Sequence, residues 1–231
     1  MGTVSETTGD RALLCDVGGV LIMPDGRRIA AALAAAGVAV DPAACRDAFF
    51  RAGAEAFRTA DPPAFWQGAE MAEAWARHAG VPPGRATASW KIVQRLDRAW
   101  DELNAEAPPV LRALRADGIR LAVVSNSDGT VDSELRRHGL REYFDFVADS
   151  QLVGSSKPAP EMALLAMAAI GCSPERTVLV GEDPHFDGGC ARSAGVAEFL
   201  LYDRLDLYPD WRDGVRCRTL ADVRRFLAGA A

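Results

Sequence analysis

Apolar and polar positions along this chain follow two regimes. Residues 11–16 end in a short apolar run, Leu13-Leu14-Cys15, closed by Asp16 and the glycines Gly18 and Gly19. A run this short, flanked by glycines, predicts a buried strand. From about residue 27 to 104 the pattern becomes Ala-rich and helical. Asp41-Pro42 reads as a helix start, an N-capping acid followed by proline at the first helical position, and Pro62-Pro63 and Pro82-Pro83 divide the region into several helices. Phe49, Phe50, Phe57, Phe65, Trp66, Trp75, Trp90 and Trp100 fall there and supply a core between those helices. Beyond Pro108-Pro109 the pattern alternates. Helices are predicted over 109–117, 130–138, 160–170, 187–194 and 219–228, and strands over 119–124, 143–148, 176–180 and 197–202. Alternation of this kind predicts an α/β fold, a parallel sheet covered by helices on both faces.

Composition narrows the function classes. With 231 residues, 49% hydrophobic and 25% charged, the chain suits one large globular domain or one domain with a moderate insertion. A net charge of −6 and a sequence pI near 5.2 argue against nucleic acid or an anionic membrane as partner. The first ten residues are polar and lack the pattern of a secretory signal, and no apolar run is long enough to span a bilayer. Cys15, Cys45, Cys172, Cys190 and Cys217 are odd in number and form no CxxC pair, so the expectation is reduced thiols, a cytoplasmic setting and no structural zinc. Of the 26 Lys and Arg residues only Lys91 and Lys157 are lysines. In an arginine-using chain, a lysine marks a position where a compact ammonium matters.

Functional groups in parallel sheets gather at the carboxyl ends of the strands. Asp16 follows the first predicted strand, Ser125-Asn126 the second, and Gly181-Glu182-Asp183 the fourth, with Asp187 shortly after. Lys157 lies in the loop after the third, in Ser155-Ser156-Lys157-Pro158-Ala159-Pro160. A carboxylate nucleophile, a hydroxyl, an ammonium and an acidic cluster able to hold a hard cation make an inventory suited to phosphoryl transfer.

These motifs resemble those of the haloacid dehalogenase (HAD) superfamily of aspartate-nucleophile hydrolases over nearly the full chain. Leu13 to Val20 is similar to its first motif, Val123 to Asn126 to its second, Lys157-Pro158-x-Pro160 to its third, and Val180-Gly181-Glu182-x-x-x-x-Asp187 with Ala191-x-x-Ala194-Gly195 to its fourth. The resemblance implies a Rossmann-like core over 1–22 and 105–231 and an inserted helical cap of the first type over 23–104. It implies Asp16 as the nucleophile that forms an aspartyl-phosphate, and Ser125, the Asn126 amide and Lys157 as the groups that bind the phosphoryl oxygens. It also implies Mg²⁺ on Asp16, the Gly18 carbonyl and Glu182 or Asp187. The cap would close over the site and choose the leaving group. The reaction so implied is hydrolysis of a small phosphorylated metabolite by a monomer or homodimer.

Three departures qualify that expectation. Gly18 stands where most phosphatases of the superfamily carry an acid that protonates the leaving oxygen. This points to an ester whose leaving group needs little protonation, such as an anomeric sugar phosphate, to metal-independent 2-haloacid dehalogenation, or to a binding protein of low turnover. His185 and Asp25 are candidate replacement acids, and Lys91 is the only candidate for a Schiff-base lysine in the cap. Two retained acids beside Asp16 favour a divalent cation and phosphate over carbon–halogen cleavage. Glu182 replaces the usual Asp, which leaves open whether Glu182, Asp183 or Asp187 dominates metal binding. Cys190 replaces a usual glycine and is expected to be a small packing residue.

Overall fold

The computed structural model describes residues 11–59 and 61–229. In chain order the first elements are β1 (Ala12–Cys15), β2 (Ile22–Pro24), α1 (Gly26–Ala35), α2 (Pro42–Phe57), α3 (Pro62–Gln67), α4 (Ala69–Ala79), α5 (Ala86–Arg95) and β3 (Trp100–Leu103). There follow α6 (Ala107–Ala116), β4 (Arg120–Ser125), α7 (Val131–Arg137), β5 (Phe146–Asp149), α8 (Ser150–Val153) and α9 (Glu161–Ile170). The chain closes with β6 (Thr177–Gly181), α10 (Phe186–Ala194), β7 (Glu198–Tyr202), β8 (Val215–Cys217) and α11 (Leu220–Leu227). They divide into two compact units. One takes the chain up to Leu21, Asn104–Arg204 and the chain from Asp210 on; the other takes Ile22–Leu103 and Leu205–Pro209.

The first unit is the expected α/β layer structure. Its six-stranded sheet runs β5-β4-β1-β6-β7-β8, and every neighbouring pair is parallel. β1 lies in the middle, so both of its faces are covered and all four of its residues are buried, which is why it reads as an unbroken apolar run. Burying a leucine side chain such as Leu13 or Leu14 contributes roughly 1.5–3 kcal/mol. The sheet order switches at β1. The chain continues to β4 on one side and β6 on the other, and Cys15 pairs with both Val123 and Val180. Three strand ends therefore open side by side, at a topological switch point.

Two strands of this unit differ from the sequence pattern. The third predicted strand begins at Phe146, because residues 141–143 form a 3₁₀ turn. Arg141 holds that turn by donating from Nη1 to the Phe144 carbonyl (2.7 Å) and from Nε to Asp132 (2.5 Å). The edge strand β8 was not foreseen, since Val-Arg-Cys is too short to show a period.

The second unit is mainly helical. Asp41 caps α2 as its sequence predicts, Oδ1 accepting from the Ala44 N–H at 2.8 Å with Pro42 at the first helical position. Asp61 caps α3 in the same way before Pro62. Most of the aromatic residues form or pack on the core, where Phe49 meets Trp75, Trp90 and Trp100 at centroid distances of 5.8, 5.8 and 5.3 Å, whereas Phe57 is exposed. An unforeseen element is the short antiparallel pair β2–β3, with Ile22 opposite Leu103 and Met23 opposite Glu102. Residues 205–209 also join this unit. There the Leu207 carbonyl accepts from Arg58 at 2.8 Å and Tyr208 meets Phe57 edge-on at 5.7 Å.

Candidate active site

Asp16 is the first residue past β1, and its N–H donates to the Val180 carbonyl (3.0 Å), which continues the strand pairing into the site. The turn behind it is closed by Leu21 N–H donating to the Val17 carbonyl at 2.9 Å. Gly19 adopts φ +77°, the left-handed region that glycine enters without steric cost, whereas Gly18 lies outside it and is half-buried.

Lys157 joins the strand ends. Its ammonium donates to Asp16 Oδ1 (2.6 Å), Asp187 Oδ1 (2.5 Å) and the Val124 carbonyl (3.1 Å), so all three of its protons are engaged. The side chain is buried at 4% exposure, between an Asp16 at 5% and an Asp187 at 1%. The Lys157–Pro158 bond is cis, and the Asn126 carboxamide grips the lysine's own backbone. Ser125, last residue of β4, is buried.

β6 and α10 supply the acids. Asp187, in the first turn of α10, packs so tightly on the strand end that a Cβ on Gly181 would fall 2.2 Å from the Asp187 Cγ. A Cβ on Gly189 would likewise fall 2.7 Å from Pro158 Cβ, so glycine lets α10 approach the lysine loop. Asp187 Oδ2 accepts from the Asp183 N–H (3.0 Å). Asp183 Oδ1 in turn accepts from the N–H groups of His185 (2.7 Å) and Phe186 (2.8 Å), an arrangement that starts the helix.

The charges do not balance. One ammonium faces Asp16, Glu182 and Asp187, which each bring an oxygen within 4.8 Å of the others, and Asp183, next to Glu182 in the chain, is buried too. Burial pulls the Lys157 pKa down, but Asp16, Asp187 and Glu182 outweigh it and hold the lysine above its ordinary value. Burial is also the main cause of the upward shift of Glu182, to which Asp16 and Asp187 add, against the opposing Lys157. Asp187 is pushed up to about 7, again chiefly by burial, against Lys157 and with help from Asp16. Glu182 Oε2 is buried without a hydrogen-bond partner. Surplus buried carboxylate charge and an unsatisfied oxygen are the conditions a hard divalent cation relieves, so the donor set fits Mg²⁺. Both oxygens of Asp187 already accept hydrogen bonds, and Asp183 is committed to its turn, which leaves Glu182 and Asp16 with the freest carboxylate oxygens.

Residues 11–195 match the haloacid dehalogenase-like hydrolase family. The chain belongs to that family. Among its relatives, human haloacid dehalogenase-like hydrolase domain-containing protein 3 is 36% identical over 116 residues, 50% of this chain and 46% of that protein. The chain thus matches about half the length of that HAD relative. Thermus thermophilus phosphoserine phosphatase is 33% identical over 169 residues, 65% of this chain and 68% of that protein. A HAD family hydrolase from Deinococcus radiodurans, solved with bound phosphate and sodium, superposes with a TM-score of 0.64 at 26% identity, over 96% of this chain and 97% of that one.

Within this HAD core the structure brings Asp16, Lys157, Glu182 and Asp187 together and sets Ser125 and Asn126 at the end of the adjacent strand β4. The replacement acids fare differently. Asp25 caps α1 in the helical unit, accepting from the Arg28 N–H at 2.9 Å. His185 Nε2 is buried without a partner, and its ring lies edge-on to Phe186 at 4.9 Å. Lys91 is exposed on α5. Cys190 is fully buried, as a packing residue would be. Sequence reasoning missed the Val124 carbonyl as the third acceptor of Lys157, because a backbone acceptor leaves no mark on residue identity.

Proposed function

We propose that this chain is a Mg²⁺-dependent phosphomonoesterase acting on a small phosphorylated metabolite through an aspartyl-phosphate on Asp16. The observation that carries the proposal is the buried Asp16–Lys157–Asp187 arrangement with the unsatisfied Glu182 beside it, at the switch point of the sheet. The phosphoserine phosphatase relative and the phosphate-bound Deinococcus structure support the same chemistry. A phosphatase also uses the surplus acids, which a metal-free dehalogenation would leave uncompensated.

Asp16 attacks phosphorus, and the phosphorus–oxygen bond to the leaving group breaks as the acyl phosphate forms. Lys157 fixes the carboxylate's orientation through Oδ1, which leaves Oδ2 to attack, and it offsets charge on the phosphoryl oxygens. The Ser125 hydroxyl and the Asn126 N–H donate to those oxygens. Water then cleaves the acyl phosphate and restores Asp16. Asp16, Glu182, Asp187 and the Gly18 carbonyl would hold Mg²⁺, which when bound supplies positive charge to the phosphoryl group. Gly18 brings no proton to the leaving oxygen, so the favoured substrates are those whose leaving group departs with little protonation, anomeric sugar phosphates among them. The helical unit is the element we propose selects that leaving group. The five cysteines, none in a disulfide, suit the reducing cytoplasmic setting expected from the sequence.

Turnover of p-nitrophenyl phosphate and acetyl phosphate with and without Mg²⁺ tests the reading. Activity that needs Mg²⁺, and is lost by a factor of about 10³ or more in Asp16→Asn, is expected. Metal-independent halide release from a 2-haloacid, with no phosphate released from either ester, would overturn it.

A further inference from the structure

We propose that Asn126 is a positioning residue whose carboxamide sets the place of Lys157 in the active site. Its Oδ1 accepts from the Lys157 N–H at 2.8 Å, and its Nδ2 donates to the Lys157 carbonyl at 3.1 Å. Both backbone polar groups of the lysine are thus held by one side chain, as a neighbouring strand would hold them. A primary amide is suited to this, since it offers a donor and an acceptor side by side. The Asn126 backbone N–H is then the group we assign to the phosphoryl oxygens, while Oδ1 and one Nδ2 proton of the side chain hold the lysine.

The need for such a clamp follows from the position of Lys157. The lysine comes from a loop rather than from a sheet strand, yet its ammonium must meet Asp16, Asp187 and the Val124 carbonyl at once. The same loop is braced at its other end. Ser150 Oγ donates to the Ser127 carbonyl and accepts from the Ser127 N–H, both at 2.9 Å. The buried Asp149 accepts from the N–H groups of Gly129 (3.1 Å) and Gln151 (2.9 Å). Residues 126–131 and 149–157 are therefore fastened at two places, and Asn126 is the fastening at the lysine. Side chains that fix a loop in this way hold a reacting geometry that a shift on the order of 1 Å degrades about 10²-fold.

The catalytic consequence rests on the proposed phosphatase reading, so the test includes a readout that does not. Lys91 and Lys157 are the only lysines, and ¹⁵N-lysine labelling gives two backbone amide signals. In the wild-type protein the Lys157 amide is expected to be protected from hydrogen exchange. In Asn126→Ala it should exchange at least about tenfold faster, while Lys91 is unchanged. A Lys157 amide that exchanges freely in the wild type, or equally slowly in the variant, would overturn the clamp whatever the protein catalyses. Kinetics on p-nitrophenyl phosphate with Mg²⁺ then tests the consequence. Asn126→Ala should lower kcat on the order of 10²-fold with KM changed by less than about twofold, and add nothing further in a Lys157→Met background. Effects that multiply in the double variant, or that appear in KM alone, would place the Asn126 side chain on the substrate and overturn its action through Lys157. If the wild type releases no phosphate, the phosphatase reading fails and the exchange result alone decides the clamp.

Discussion

At the residue scale the site is defined as much by Gly18 as by Asp16. Gly18 lies outside the left-handed region, so its backbone accepts a side chain without the penalty that its neighbour Gly19, at φ +77°, would incur. Installing the missing acid by Gly18→Asp is therefore expected to leave the turn intact. It should raise kcat for alkyl phosphates on the order of 10²-fold, the usual contribution of general acid–base help. Aryl and acyl phosphates, whose leaving groups depart as stable anions, should change little. A steady-state comparison of the two substrate types checks this, and equal gains on both would show that Gly18→Asp acts by some route other than protonation. At this scale Glu182 also differs from its neighbour Asp183. Its longer side chain ends in an oxygen with no hydrogen-bond partner, while the shorter Asp183 is committed to the turn that begins α10.

Among the elements, those with a local chemical cause were legible and those without one were not. Asp41 was readable because an N-cap acid and a following proline act within four residues, and the structure shows that cap. Asp41→Ala should lower stability by about 1 kcal/mol, the typical loss for an N-cap. Chemical denaturation would show it as a lower midpoint with an unchanged slope, and no change would mean that α2 gains nothing from its cap. Asp25 has the same role on α1, although its sequence position suggested an active-site acid. A carboxylate that caps a helix and one that serves a reaction look alike in sequence, and the structure shows Asp25 in the capping role. The strands β2, β3 and β8 escaped notice because three or four residues, several of them polar, are too few to show alternation.

For the whole molecule, the surplus of buried acids predicts an unusual pH dependence. Asp187, pushed up to about 7, and Glu182, also raised, bind protons in the folded state that the unfolded chain has released. Their contribution to stability is full below the ordinary carboxylate range, near pH 4, and is lost as pH rises toward 7. Groups of the opposite kind, such as Asp132 held low by Arg136 and Arg141, lose their contribution only on acidification through the ordinary carboxylate range and below. Between about pH 5 and 7 the active site therefore governs the slope. Without divalent ions, Tm should fall across that interval. With Mg²⁺ the fall should shrink, because a bound cation favours the deprotonated acids. Thermal melts at several pH values with and without Mg²⁺ check this, and a Tm that climbs with pH in metal-free buffer would contradict it.

By itself the sequence determined the alternation of strands and helices, the buried central strand, the helix caps and the residues at each strand end. These follow from the periods of apolar positions and from side chains acting on backbone a few residues away. It also placed Asp16, Ser125, Lys157, Glu182 and Asp187 on one side of the sheet, since parallel strands open their carboxyl ends together. Only the tertiary structure decided what those residues do to one another. Residues 141 positions apart, Asp16 and Lys157, meet at 2.6 Å because the sheet order reverses at β1 and α10 approaches closely over Gly181 and Gly189. The division of labour among the three acids, and the grip of Asn126 on the lysine backbone, depend on which lone pair faces which N–H. That is set by packing at distances of a few ångströms, which residue identity and spacing do not encode.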